Sequence, residues 1–201
     1  MVNRPNIKVE LGKKTAGKLI KIARKEFGQK GFKRTSMEQV VRLAGVTRGA
    51  LYHHFENKEG LFISVFEKAM AEITDRCKEV QSLSSDPWEK LISTAQALFG
   101  ACTDPEIQRI VFCDAPAILG IGNWRKNRES KTMVLFRDVL TELIDQKIIK
   151  PLPLDALAHS IWGASTELIM WISYTTGSRI YYDEGFDTFV EILKSLKTNT
   201  K

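Results

Sequence analysis

Apolar residues recur along this chain every three or four positions. Ala16, Leu19, Ile20, Ala23 and Phe27 lie between Lys and Arg residues, the pattern of an amphipathic first helix that ends near Gly31. Thr35 and Ser36 precede Glu38 and Gln39 by three residues, so either hydroxyl can open a short helix containing Met37, Val40, Val41 and Ala44. Gly45 supplies the turn after it, and Thr47 can cap a third helix with Leu51 and Phe55 on its inner side. Asn57 can cap a fourth, in which Leu61, Phe62, Val65, Phe66, Ala69 and Ile73 keep the period to about Val80.

Farther along, Asp86-Pro87-Trp88-Glu89 and Asp104-Pro105-Glu106 each combine a cap, a proline at the first helical position and an early glutamate. A glycine-punctuated stretch, Leu119 to Asn123, precedes a long helix expected from Trp124 to Lys147, which Pro151 and Pro153 close off. Leu154 to Thr176 and Asp187 to Leu196 complete about nine helices with no strand pattern and no internal repeat. The fold class expected is all-α.

Ala156 to Thr176 is long and carries one formal charge, Glu167. Ser160, Ser165, Thr166 and Ser173 interrupt it, so it lacks the uninterrupted apolar run of a membrane span. A helix that is apolar on most sides is buried or paired. Its small residues, Ser160, Gly163, Ala164 and Ser165, suit close approach of another helix, as in a homodimer.

Composition adds little until charge is located along the chain. The 201 residues are 43% hydrophobic and 27% charged, which excludes global disorder and low-complexity classes. Cys77, Cys102 and Cys113 are odd in number and lack CxxC spacing, so neither a disulfide framework nor a zinc knuckle is expected. The first residues, MVNRPNIKVELGKK, hold no apolar signal core, which points to the cytoplasm. Residues 1–60 hold 14 Lys and Arg against 5 Asp and Glu, net +9, which leaves 16 against 19, net −3, for residues 61–201. All four tryptophans lie in that second part. A basic head of this kind suits a polyanion, and the faintly acidic body has a different task.

Two short helices joined through a glycine and preceded by a longer helix make a helix-turn-helix. Its second helix, beginning at Thr47, is the one whose N-terminal residues point at base edges in the major groove. With Leu51 and Phe55 inward, Arg48, Gly49, Tyr52 and His53 face outward. Arg48 can contact guanine O6 and N7 in bidentate fashion, while Gly49 and Ala50 keep the surface low enough for close approach. Tyr52 and His53, the hydroxyls of Thr35, Ser36 and Thr47, and the Lys58 ammonium can donate to phosphates. His53 and His54 do not share a helix face, so no metal site is expected, and no cofactor-binding motif is present. The chain shows no GxSxG elbow, HExxH, phosphate-binding loop or paired-carboxylate motif, which leaves no catalytic residue to name.

The run TSMEQVVRLAGVTRGALYHHFENKEGLF, Thr35 to Phe62, resembles the DNA-binding signature of the TetR family of transcriptional regulators. The matching pieces are the capped Thr/Ser start, Val40-Val41, Ala44-Gly45-Val46, the threonine before the recognition helix, Ala50, Leu51-Tyr52, His54-Phe55, Lys58-Glu59 and Leu61-Phe62. DAPAILG with Asn123-Trp124-Arg125 is similar to a motif of one subset of TetR regulatory domains. The resemblance implies a three-helix DNA-binding domain, a linking fourth helix and a helical regulatory domain that dimerises through its last two long helices.

The organisation expected is therefore a basic arm over 1–14, a DNA-binding domain over 15–60 and a ligand-binding and dimerisation domain over 61–201. The function expected is a dimeric repressor that binds a pseudo-palindromic operator on double-stranded DNA and is released by a small molecule. The alternatives are a DNA-binding or architectural dimer without a ligand and, farther off, a small helical enzyme. Phe112, Asp114, Trp124, Glu167 and Trp171 are the candidate ligand-binding residues, being aromatic or polar groups in apolar neighbourhoods.

Overall fold

A computed structural model describes residues 4–175 and 178–198; within these, the side chains of 4–10, 127–131 and 178–179 are not described. The described chain is helical: α1 (Arg4–Arg34), α2 (Met37–Ala44), α3 (Arg48–His54), α4 (Lys58–Gln81), α5 (Pro87–Ala101), α6 (Pro105–Ile107), a π-wound turn (Gln108–Asp114), α7 (Ala115–Leu119), α8 (Ile121–Asp145), α9 (Leu154–Tyr174) and α10 (Ser178–Lys194). Taken as one bent run, α6 to α7 makes nine helices of these, the number read from caps and periodicity. The only strand-like pairing among the described residues is a bridge between Ile149 and Lys197.

The chain folds into two compact units. The first is Met1–Ala69 with Pro105–Gly120, and the second is Met70–Asp104 with Ile121–Lys201. These differ from the boundary that charge places after residue 60. The segment from Pro105 to Gly120, expected in the regulatory body, belongs with the basic head.

In the first unit Leu19, Ala23 and Phe27 of α1, Val40 and Ala44 of α2, Leu51 of α3, and Leu61, Phe62, Val65 and Phe66 of α4 are buried, as their spacing predicts. Phe27, Phe32 and Phe62 form a ring cluster with centroids 5.2 to 5.8 Å apart. Such aromatic pairs contribute about 0.5–1.5 kcal/mol each beyond their buried area. From α6, the π turn and α7, Ile107, Ile110, Val111, Phe112 and Ala115 complete this core.

The first helix is longer than its apolar period. It begins at Arg4, so residues 4–14, expected as a separate arm, are its first turns, while Met1 to Asn3 lie outside the described residues. Helical conformation breaks inside it at Gly31, with φ 78° and ψ 165°, a region that only glycine enters without strain.

The second unit packs α5, α8, α9 and α10 around Phe99, Phe136, Leu140, Trp162 and Phe189. Phe99 meets Phe186 and Phe189 at 5.5 and 5.3 Å, and Phe136 meets Trp162 at 6.0 Å. The hydroxyls of Thr74 and Thr132 bond each other at 2.8 Å, which satisfies both inside the core. Asp86 caps α5 by accepting from the Glu89 N–H at 2.9 Å. The last helix starts at Ser178, earlier than the expected Asp187. Gly185, inside the added turns, is buried, and a Cβ there would lie 3.0 Å from Cδ1 of Ile172. That glycine lets α10 approach α9 closely. Among the described residues no helix is long and apolar enough to cross a membrane.

Candidate nucleic-acid interface

The helix-turn-helix is built by three local devices. Ser36 caps α2, its Oγ accepting from the Gln39 N–H at 3.2 Å. Gly45 ends that helix in the left-handed region at φ 59°, and the Val46 N–H donates to the Val41 carbonyl at 3.3 Å. Thr47 caps α3, its Oγ1 accepting from the Ala50 N–H at 3.1 Å. Ser36 and Thr47 therefore do what their spacing predicts, and both remain exposed with a hydroxyl proton left to donate.

On α3 the division of faces is the expected one. Leu51 and Phe55 are buried, and Arg48, Gly49, Tyr52 and His53 are exposed, with Ala50 half-buried between them. The Arg48 side chain is 70% exposed; its guanidinium lies 5.5 Å from the Tyr52 ring and 3.9 Å from Oε1 of Glu38. Between Arg48 and Tyr52 the surface carries only Gly49 and Ala50, because Leu51 is turned into the core.

Two expected phosphate donors have other occupations. Thr35 is buried, and its hydroxyl donates to the Gly31 carbonyl at 3.0 Å, closing the last turn of α1. It lies inside the unit and is corrected from the list of surface donors. Lys58 is half-buried at the start of α4, its Nζ donating to the Lys33 carbonyl at 3.4 Å and standing 4.5 Å over the Phe32 ring. The lysine fastens α4 to the end of α1 and keeps further ammonium protons to offer.

Beneath this surface, the break in α1 is held by the segment that the sequence assigned to the body. The Phe32 N–H donates to Oδ2 of Asp114 at 2.8 Å, and Arg24 pairs with Glu106 at 3.4 Å. A Cβ on Gly31 would come within 3.1 Å of the Arg109 guanidinium, and one on Gly28 within 2.8 Å of Cβ of Glu106. Asp114, expected among the ligand-binding residues, is thus an acceptor for an α1 backbone amide, and Phe112 is core of the same unit. Sequence reading missed this clamp because a contact over 82 residues leaves no local periodicity.

In the second unit, Trp124 and Glu167 do come together. They line a cavity of about 270 Å³ with Arg125, His159, Trp162 and Met170. Trp171 is corrected: it lies on the outside of α9, with its ring 5.3 Å from that of Tyr181. Six exposed residues of α9, Ala156, Ser160, Gly163, Glu167, Trp171 and Tyr174, are spaced three and four apart as one stripe, with Asp155 and His159 exposed beside it. Ser160 and Gly163 of the expected small-residue face belong to it, whereas Ser165 is buried and donates to the Trp162 carbonyl at 2.9 Å.

Residues 19–65 match the family model for bacterial regulatory proteins of the tetR family, and residues 88–196 match a tetracyclin repressor-like C-terminal domain. The crystal structure of a TetR-family transcriptional regulator from Pectobacterium atrosepticum is 30% identical to this chain, with a TM-score of 0.85 over 96% of this chain and 98% of that one. The HTH-type transcriptional repressor KstR2 of Mycobacterium tuberculosis is 23% identical over 159 residues, covering 77% of this chain and 80% of its own. FadR of Bacillus subtilis, solved in complex with stearoyl-CoA, shares the fold at a TM-score of 0.69 and 20% identity, over 86% of this chain and 96% of its own. The chain belongs to the TetR family and is a DNA-binding transcriptional regulator.

Proposed function

We propose that two copies of the chain bind a pseudo-palindromic operator, each laying α3 in the major groove, and that a small molecule in the second unit releases them. The observation that carries this reading is the exposed opening of α3, where Arg48, Gly49, Tyr52 and His53 stand clear while Leu51 and Phe55 anchor the helix. Arg48 reads a guanine edge. Ser36, Thr47, Tyr52, His53 and Lys58 set the register through phosphates. The first unit is the DNA-binding module and the second carries the effector site and the pairing surface; the cell compartment that fits this task is the cytoplasm.

The exposed stripe of α9, with its small residues Ser160 and Gly163, favours pairing with the same stripe of a second copy. The cavity beside Trp124 and Trp162 favours a compact effector. Its volume sits near the low end of the range of about 300–1,000 Å³ for small-molecule sites. Two indole rings and Met170 would hold an apolar or aromatic body, while Glu167, His159 and Arg125 would orient a polar end. The effector acts by binding better to one arrangement of the dimer than to the other. A coupling of about 1–3 kcal/mol changes affinity for DNA about 5- to 150-fold.

Arg48→Ala tests the base-reading role. It should relax preference at one position of each half-site, costing about 1–3 kcal/mol there. Binding titrations against operator variants at fixed salt measure this. Equal losses on operator and random duplexes would remove Arg48 from base reading.

A further inference from the structure

Between Thr35 and Phe55 the sequence carries one acidic residue, Glu38, in a stretch otherwise suited to meeting a polyanion. It occupies the first turn of α2 with its side chain 66% exposed, and its Oε1 is 3.9 Å from Nη2 of Arg48 on α3. The Tyr52 ring also lies against this guanidinium, its centroid 5.5 Å away. Met37 and Val41 lie below, and the five residues enclose a hollow of about 100 Å³ on the surface of the helix-turn-helix. Arg48 therefore has both an acidic and an aromatic neighbour.

An ion pair this exposed adds little to folding, about 0–1 kcal/mol. Its consequence lies in binding. A free arginine beside a duplex is drawn first to phosphate, which carries no sequence information, and its rotamer freedom opposes any single bidentate geometry. A carboxylate next to the guanidinium narrows its orientations and makes approach of a phosphate to that spot unfavourable. Both effects weaken binding to the wrong duplex more than binding to the right one, which is how specificity is gained by repulsion. The pair sits at the opening turn of α3, so it acts where bases are read.

We propose that Glu38 is a specificity-determining residue for operator binding, a positioning residue that acts through Arg48. This deepens the reading of Arg48 as the base reader and rests on it. Two duplexes of equal length are needed: one selected from random DNA by the unmodified full-length chain, and one with the same bases scrambled. Fluorescence anisotropy at fixed salt then compares the unmodified chain, Glu38→Gln, Arg48→Ala and the double variant. Glu38→Gln should tighten binding to the scrambled duplex about threefold to tenfold while changing operator binding less than about twofold, so the specificity ratio falls. That fall should vanish in the Arg48→Ala background. Equal tightening on both duplexes, no change on either, or the same fall without Arg48 would each overturn the proposal. A ratio that Arg48→Ala lowers and Glu38→Gln does not would overturn this role while leaving Arg48 as the reader. A ratio untouched by Arg48→Ala would overturn the underlying reading itself.

Discussion

At the residue scale, positions that look interchangeable in the sequence divide sharply by what their atoms touch. Thr35 and Ser36 are adjacent hydroxyls before α2, and both were candidates for cap and phosphate donor; one is buried against the Gly31 carbonyl and the other caps the helix at the surface. Gly31 shows how a single position controls its neighbourhood. An alanine there would be held at φ 78° with its Cβ against the Arg109 guanidinium, so Gly31→Ala should cost about 1–3 kcal/mol, read as a lowered midpoint in chemical denaturation. An unchanged midpoint would show that the break in α1 is not a constraint. Cys77 gives a pH signature of folding. Burial pushes its thiol from the usual 9.0 up to about 12, so between those values the unfolded chain loses a proton that the folded chain keeps. Stability is therefore lost as pH rises above 9, at a rate of about 1.4 kcal/mol per pH unit for this group. Denaturation at rising pH should fall less steeply for Cys77→Ala than for the unmodified chain, by about that slope.

At the element scale, the helices that the sequence announces are those with local signals. The caps at Ser36, Thr47 and Asp86, the left-handed stop at Gly45 and the apolar period of α4 are each decided within one or two turns, and each forms as read. What local signals cannot convey is which distant element a helix joins. The run Pro105 to Gly120 has a good start signal, yet its place beside α1 involves distant partners, Phe32 with Asp114 and Gly28 with Glu106. The start of α10 escaped in the same way, since the buried Gly185 within it serves a contact with Ile172 of α9. The outer stripe of α9 was half legible: Ser160 and Gly163 were read as a contact face, but the helix turns Ser165 inward. If that stripe pairs with a second copy, Ser160→Arg should convert the dimer to monomer in sedimentation velocity and weaken operator binding. A dimer that persists would place the pairing surface elsewhere.

For the whole molecule, the charge asymmetry was the most informative feature outside the motifs. The basic first third corresponds to the helices that present Arg48 and Tyr52, and the acidic remainder supplies most of the second unit. It did not reveal that the chain crosses between units three times, at residues 69/70, 104/105 and 120/121. Those crossings make α4 and the segment Pro105–Gly120 the two covalent connections between the units. The central claim is that a two-fold pair of these chains reads a specific duplex through α3. Selection of bound sites from random double-stranded DNA by the full-length chain tests it most directly. The expected result is an enriched pseudo-palindrome whose half-sites each contain a guanine and have centres about 34 Å or somewhat more apart. No enrichment, or a single asymmetric site bound by one copy, would contradict it.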